Sequence, residues 1–466
     1  MTEFHGTKTR RLASWKEIAA HLGRDVRTVI RWEKERGLPV HRDSSGAGRS
    51  TVYADVDELD NWLMGHTDGL TPSLDLVDPT AARQSRAIRR KYVVLGAVVI
   101  VILVAAVLAG RHLVVGTAQR HLEFIRSDIP AAGPMSVGIA DFDGDGNLDI
   151  VFTNSATDTV DIIFGEGHGS FARRISIPNA KEPERLTVAD FNQDGALDLV
   201  ITHRTSKDVS IVLGDGHGNF RESFRWDAGG RSRWVSAADL NHDNNVDLVI
   251  ACSSAHKVAV LMGRGDGTFE NIREYETDGE PSAVLVGDFN HDDIPDIMMA
   301  DYQVAGGKTV SLYAGVGDGT FRARQAFPTG FGPLAATAAD LNHDGLLDVA
   351  TADFHDGLSV LLSTNDGFDA PRSMKAQSAP GFIAAADFDG DGHPDLLLVA
   401  EHSNEAHLYY GNGRGDFPTA QTFATAAYPD SIAVADLDHD GRLDFVVGAV
   451  YGNTVSVYLN RTPRKP

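Results

Sequence analysis

From Leu122 onward the chain repeats one alternation of apolar and polar positions. A short apolar stretch, such as Val284-Leu285-Val286, leads into a run of acidic and turn residues. A β-type run follows, for instance Leu199-Val200-Ile201, and then a second, for instance Thr159-Val160-Asp161-Ile162-Ile163. A glycine-rich turn ending in phenylalanine closes the unit: GEGHGSF (165–171), GDGHGNF (214–220), GRGDGTF (263–269), GVGDGTF (315–321) and GNGRGDF (411–417). Asn365-Asp366-Gly367-Phe368 is a shortened form. Seven units start 49, 49, 49, 52, 47 and 49 residues apart. Short strands at that period, with no helical pattern between them, predict a mainly β fold: a seven-bladed β-propeller with four-stranded blades. The last unit stops soon after Val455-Ser456-Val457-Tyr458 and lacks a fourth strand. The segment Leu122-Glu123-Phe124-Ile125-Arg126 supplies one, because Phe124 precedes Asp141 by 17 residues, close to the 19 that separate the other turn phenylalanines from their next Asp. Residues 121–129 are therefore expected to complete the last blade and remove two open sheet edges.

Two other patterns precede the repeats. In residues 11–64, Trp15, Ile18, Ala19 and Leu22 fall on one helical face behind a Ser14/Glu17 capping box. Gly23 ends that helix, and a second runs from Asp25 to Glu35 with Val26, Val29 and Ile30 inward. Val40 to Tyr53 reads as a hairpin with Gly46 and Gly48 at its tip, and Asp55 and Glu58 open a third helix that Gly65 stops. Two short helices with a tight turn, then a hairpin, predict a winged helix-turn-helix. The second pattern is Tyr92 to Gly110, an uncharged apolar run. At ~1.5 Å per residue it spans ~28 Å, close to the thickness of a bilayer core. A buried core helix is the soluble alternative. Arg86, Arg89, Arg90 and Lys91 stand directly before it, so the N-terminus is expected in the cytoplasm and the repeats outside. The expected organisation is a head over 1–66, a flexible linker with a basic end over 67–91, one transmembrane helix over 92–115 and the propeller over 121–466. The protein is thus expected in the cytoplasmic membrane as a single-pass chain, its propeller periplasmic or extracellular.

Charge sharpens this division. The whole chain carries a formal −23, yet residues 1–91 hold 16 basic and 13 acidic residues, leaving 26 basic and 52 acidic for the rest. The first 54 residues hold 11 basic and 6 acidic. The head suits a phosphate backbone, whereas the remainder repels nucleic acid and attracts cations. Cys252 is the only cysteine, which excludes an intramolecular disulfide and a cysteine-based zinc site.

The acidic run of each unit is a nine-residue loop: DFDGDGNLD (141–149), DFNQDGALD (190–198), DLNHDNNVD (239–247), DFNHDDIPD (288–296), DLNHDGLLD (340–348), DFDGDGHPD (387–395) and DLDHDGRLD (436–444). Positions one, five and nine are always Asp and position three is Asp or Asn, a set of hard oxygens that suits Ca²⁺. The expected donors, with a backbone carbonyl at position seven, are Asp141, Asp143, Asp145, Asn147 and Asp149 in loop one, and Asp190, Asn192, Asp194, Ala196 and Asp198 in loop two. Loop three offers Asp239, Asn241, Asp243, Asn245 and Asp247, and loop four Asp288, Asn290, Asp292, Ile294 and Asp296. Loop five offers Asp340, Asn342, Asp344, Leu346 and Asp348, and loop six Asp387, Asp389, Asp391, His393 and Asp395. Asp436, Asp438, Asp440, Arg442 and Asp444 complete the series, so up to seven ions are expected, one per blade. Asx-turns without an ion are the alternative. Position six is Gly in five loops, giving φ > 0 without strain; Asn244 and Asp293 replace it in loops three and four, which are expected to bind less tightly. His242, His291, His343 and His439 share position four, point away from the ion and belong to different blades. Arg264-Gly265-Asp266 and Arg414-Gly415-Asp416 fall inside the glycine-rich turns.

With these motifs in hand, the repeats resemble the FG-GAP/VCBS repeats of integrin α-subunit propellers and many bacterial proteins. That resemblance is specific for fold and weakly specific for function. The head, through SWKEIAAHLGRDVRTVIRWEKERGLPVHR, resembles the MerR/excisionase class of winged helix-turn-helix. It implies that Arg27 and Thr28 meet base edges, that Arg24, Arg31 and Lys34 position the backbone, and that Arg42 and Arg49 of the wing touch phosphates. No Ser/His/Asp set or phosphate loop stands out, so no enzyme is expected. The parts combine into a membrane-tethered bacterial transcriptional regulator or signal transducer, with a DNA-binding head inside and a calcium propeller outside that meets a protein or glycan ligand. The ligand is expected to alter clustering of the propeller in a homo-oligomer, and so the spacing of heads on DNA. The alternative is a cell-surface adhesion or carbohydrate-binding protein.

Overall fold

The computed structural model describes residues 11–22, 26–43, 51–65, 121–178, 181–302, 307–376 and 379–463. They fall into two compact units divided between Val114 and Val115. The predicted linker 67–91 and membrane span 92–115 lie outside the described residues. Among those described, no helix is long and apolar enough to cross a membrane.

The first unit is built as its periodicity predicts. Helix α1 (Trp15–His21) is capped by Ser14, whose Oγ accepts from Glu17 N at 3.2 Å. The Glu17 carboxylate reaches back one residue further than a capping box does, to Ala13 N at 2.8 Å. Helix α2 (Val26–Arg36) is followed by a hairpin of His41–Asp43 with Thr51–Asp55, and then by α3 (Val56–Gly65). Arg11–Leu12 pairs with the long hairpin strand and makes a three-stranded sheet, an addition its two residues could not announce. Ile18, Ala19, Val29, Leu38, Ala54 and Leu59 form the core. Trp32 of α2 packs against Trp62 of α3 (5.8 Å between rings), while Ile30, expected inside, is half-buried and outside that cluster.

The second unit contains seven four-stranded antiparallel sheets. Blade one illustrates the order: Val137–Ala140 innermost, then Asp149–Asn154, Thr159–Gly165 and Phe171–Pro178 outermost. The innermost strands contact one another in sequence, and that of the last blade, Pro429–Ala435, contacts that of the first, which closes the ring. The fully buried second strands and the third strands carry the apolar load. Their side chains interdigitate between blades, as Val151 and Ile162 do with Leu199, Ile201 and Val212. The outermost strands alternate exposed and half-buried residues.

The N-terminal segment closes the last blade. Phe124–Pro130 pairs with Thr454–Asn460 over seven residues, from Asn460↔Phe124 to Thr454↔Pro130. Leu122 is buried, and its N–H and C=O are both bonded by the Gln421 amide, at 2.9 and 2.7 Å. Phe124 sits edge-on to Phe423 and Phe445. In blade five the shortened turn makes a two-residue hairpin, Ser363–Thr364 with Gly367–Phe368, and the outer strand shrinks to Arg372–Met374.

Candidate metal centres

Each acidic loop joins the end of an innermost strand to the start of the second strand, so all seven share one face of the propeller. The loops fold alike because position one accepts their backbone. In loop one, Asp141 Oδ1 accepts from Gly144 N at 2.8 Å and Oδ2 from Gly146 N at 2.9 Å. Position five caps position seven in every loop; Asp145 Oδ1 accepts from Asn147 N at 2.7 Å. Position six is left-handed throughout, including Asn244 (φ 68°) and Asp293 (φ 63°). Both keep the same bond to position one, at 2.9 Å, so the turn is intact in loops three and four. Position four is left-handed as well, from Gly144 (φ 73°) to His439 (φ 57°), a constraint that sequence reasoning missed.

Position four reaches sideways to the next loop. Gln193 Nε2 donates to Asn244 O and Asn245 Oδ1 of loop three, His343 Nε2 lies 2.6 Å from His393 Nδ1 of loop six, and His439 Nε2 lies 3.1 Å from Gly146 O of loop one. His343 and His439 thus bridge neighbouring loops, whereas His291 Nε2 lies 3.3 Å from Ser363 Oγ.

Position nine has a structural role of its own. Asp149 is fully buried; its Oδ2 accepts from Phe142 N and its Oδ1 from Gly165 N, both at 2.8 Å. The same pair of bonds recurs in every blade, with Ser363 N and Asn460 N replacing the glycine in the fifth and seventh. This Asp fastens the loop to the glycine turn. The first glycine of that turn is required because a Cβ on Gly165 would collide with Leu148 O. Burial pushes Asp149, Asp198, Asp247, Asp348 and Asp444 up to about 6 and Asp395 to about 7, against the pull of the two N–H donors, and neighbouring loop carboxylates add to the rise.

The loops part company at position three. In loops one, six and seven it is Asp, and one oxygen each of Asp141, Asp143 and Asp149, of Asp387, Asp389 and Asp395, and of Asp436, Asp438 and Asp444 lies within 4.8 Å of the others in its group. That separation is about twice a Ca²⁺–oxygen distance of ~2.3–2.6 Å. The buried oxygens Asp143 Oδ1, Asn290 Oδ1 and Asp438 Oδ1, all at position three, have no hydrogen-bond partner among the described residues. Acceptors left without a proton fit a cation. In loops two, three and five the position-three amide donates instead to the position-five carboxylate, as Asn192 Nδ2 does to Asp194 Oδ2 at 2.8 Å. Loop seven has its own counter-charge: Arg461 pairs with Asp438 and Asp440, and Arg442 with Asp440. In loop one, Arg173 holds Asp143 Oδ2 at 2.6 Å.

Of the residues expected at DNA, Arg24 and Arg49 lie outside the described residues. Arg27, Arg31 and Lys34 are exposed on α2, which also carries Thr28. Arg42 of the hairpin pairs with Glu33 of α2 at 2.6 Å, so it is already engaged within the head.

No curated protein matches the chain. The FG-GAP-like repeat family matches residues 141–201, 190–250, 239–299, 298–351, 343–398 and 387–447, which together take in all seven acidic loops and well over half of the chain. Among solved structures, the chain is similar to BBS1N in complex with ARL6DN (12% identity, TM-score 0.53, covering 74% of this chain and 98% of that one). It is also similar to a catalytically inactive virginiamycin B lyase from Staphylococcus aureus with quinupristin (15% identity, TM-score 0.50, 72% and 99% covered). At these identities the likeness is one of fold.

Proposed function

Because the chain belongs to the FG-GAP-like repeat family, we propose that it is a membrane-tethered transcriptional regulator or signal transducer whose calcium-binding propeller meets an external ligand and whose head binds DNA. The observation that carries the DNA half is the cationic α2: Arg27, Arg31 and Lys34 stand exposed on one helix of a small unit with its own core. The hairpin beside it supplies a wing, and the basic balance of the first 54 residues, 11 against 6, favours a polyphosphate partner. The tether rests on the uncharged run 92–110 and the four basic residues that precede it. The calcium reading rests on the three clusters with Asp at position three, in which Asp141, Asp143 and Asp149, Asp387, Asp389 and Asp395, and Asp436, Asp438 and Asp444 each bring three carboxylates together.

The test is fluorescence anisotropy of the detergent-solubilised chain with duplex DNA across a salt series. Affinity is expected to fall steeply with salt, and Arg27→Ala with Arg31→Ala to weaken binding about tenfold or more. Salt-independent binding, or no effect of the double variant, removes the DNA reading. Glycan or protein binding at a cell surface is the second reading, favoured by the cavity described next.

A further inference from the structure

At the end of the innermost strands opposite the acidic loops, a cavity of about 420 Å³ opens at the mouth of the channel those strands surround. Its floor is charged. Arg231 pairs with Glu184, with Nε 2.8 Å from Oε2. Arg185 reaches Asp430 at 3.0 Å and also the carbonyl oxygens of Met135 and Asp430, yet its buried Nε has no hydrogen-bond partner among the described residues. Arg233 has no carboxylate within ion-pair distance among the described residues. Its guanidinium lies over the Tyr302 ring, 5.4 Å from the centroid. Arg233 is half-buried, and desolvation there holds its pKa below the usual arginine range.

The charges do not cancel. Arg185 and Arg231 are matched by Asp430 and Glu184, leaving Arg233 and Arg204 against Glu401 alone. Burial pushes Glu401 up to about 7, so near neutrality it offsets only part of that surplus. A local excess of positive charge inside a region of net −26 draws small anions toward this mouth. Aromatic rings line the wall: Tyr302, Phe354, Tyr428 and Tyr451, the last two 4.6 Å apart and Tyr451 71% exposed. A planar guanidinium fork recognises a carboxylate in two-point fashion, and ring faces accept a flat or pyranose ring.

We infer that this channel mouth binds a small ligand carrying a carboxylate on a six-membered ring, with Arg233 holding the carboxylate and Tyr302 and Tyr451 flanking the ring. The site names a ligand class for the propeller half of the reading above and rests on that half alone. It involves none of the acidic-loop residues.

The test is isothermal titration calorimetry of the full chain with glucuronate and benzoate as probes and glucose and acetate as controls. One ring carboxylate is expected to bind about tenfold or more tighter than either control, and Arg233→Gln to weaken it by about tenfold or more. Which probe binds tells an acidic sugar from an aromatic acid. Binding of neither, or binding unchanged in Arg233→Gln, overturns the proposal. Should Arg233→Gln lose its thermal transition, Tyr451→Ala decides. Its side chain is exposed, so the fold tolerates the change, and affinity unchanged from wild type overturns the proposal. DNA binding is read separately by anisotropy, so failure here and failure of the head reading remain distinguishable.

Discussion

Loops two and six share a backbone course and differ at position three. In loop two, Asn192 closes the loop on itself: its amide donates to Asp194 Oδ2 at 2.8 Å while its Oδ1 accepts from Asp194 N at 3.0 Å. In loop six, Asp389 Oδ1 likewise accepts from Asp391 N at 3.0 Å, but a carboxylate has no proton to give in return. Asp389 instead joins Asp387 and Asp395 in a carboxylate cluster. One NH₂ group does in loop two what a cation would do in loop six. Seven loops of one pattern can therefore be fastened in two ways, and the choice is written at a single position.

Three experiments break or sharpen that contrast. The largest effect is expected where both kinds of loop agree. Asp198→Ala strips the partners from two buried N–H groups, those of Phe191 and Gly214. It should cost about 2–5 kcal/mol in denaturant unfolding, with or without calcium. A loss that calcium restores in full would show that position nine acts only through an ion. The next effect concerns position three itself. Millimolar calcium should stabilise the wild type, by about 2.7 kcal/mol for a site at a hundred times its Kd. Asp143→Asn with Asp389→Asn should lower the calcium stoichiometry in titration calorimetry, and Asn192→Asp should raise it. An unchanged stoichiometry in all of these variants would refute the division. The smallest effect tests position six: Asn244→Gly should shift stability by no more than about 0.5 kcal/mol, because Asn244 already holds the left-handed turn and its bond to Asp239.

Much of this architecture is legible because propeller repeats are local. The spacing of Asp141, Asp190 and their successors sets the blades, and the odd interval before Asp141 betrays Phe124 as the borrowed strand. Candidate donors are legible for the same reason: position and residue type recur seven times. Asn244 and Asp293, which tolerate the left-handed turn in place of glycine, were expected to weaken loops three and four, and both do hold that turn. Differences that the repeat pattern did not reveal are the amide bond of Asn192 to Asp194 and the pairing of Arg461, from beyond the last strand, with Asp438. Arg233 was invisible for a related reason. Nothing about an arginine inside Ser232–Ala238 distinguishes it until Glu184, Tyr302 and Asp430, each from a different repeat, assemble around the channel mouth.

The borrowed strand has a consequence for how the chain is made. Phe124–Pro130 leaves the ribosome before any other strand of the propeller, but its partner Thr454–Asn460 is the last of the propeller's strands to be synthesised. Blades one to six can form in order as they emerge, each packing on its predecessor. The ring stays open until all seven blades are made, and a transcript truncated before Thr454 yields a chain whose first propeller strand has nothing to pair with. Synthesis of the last blade is thus a built-in check on whether the propeller closes at all.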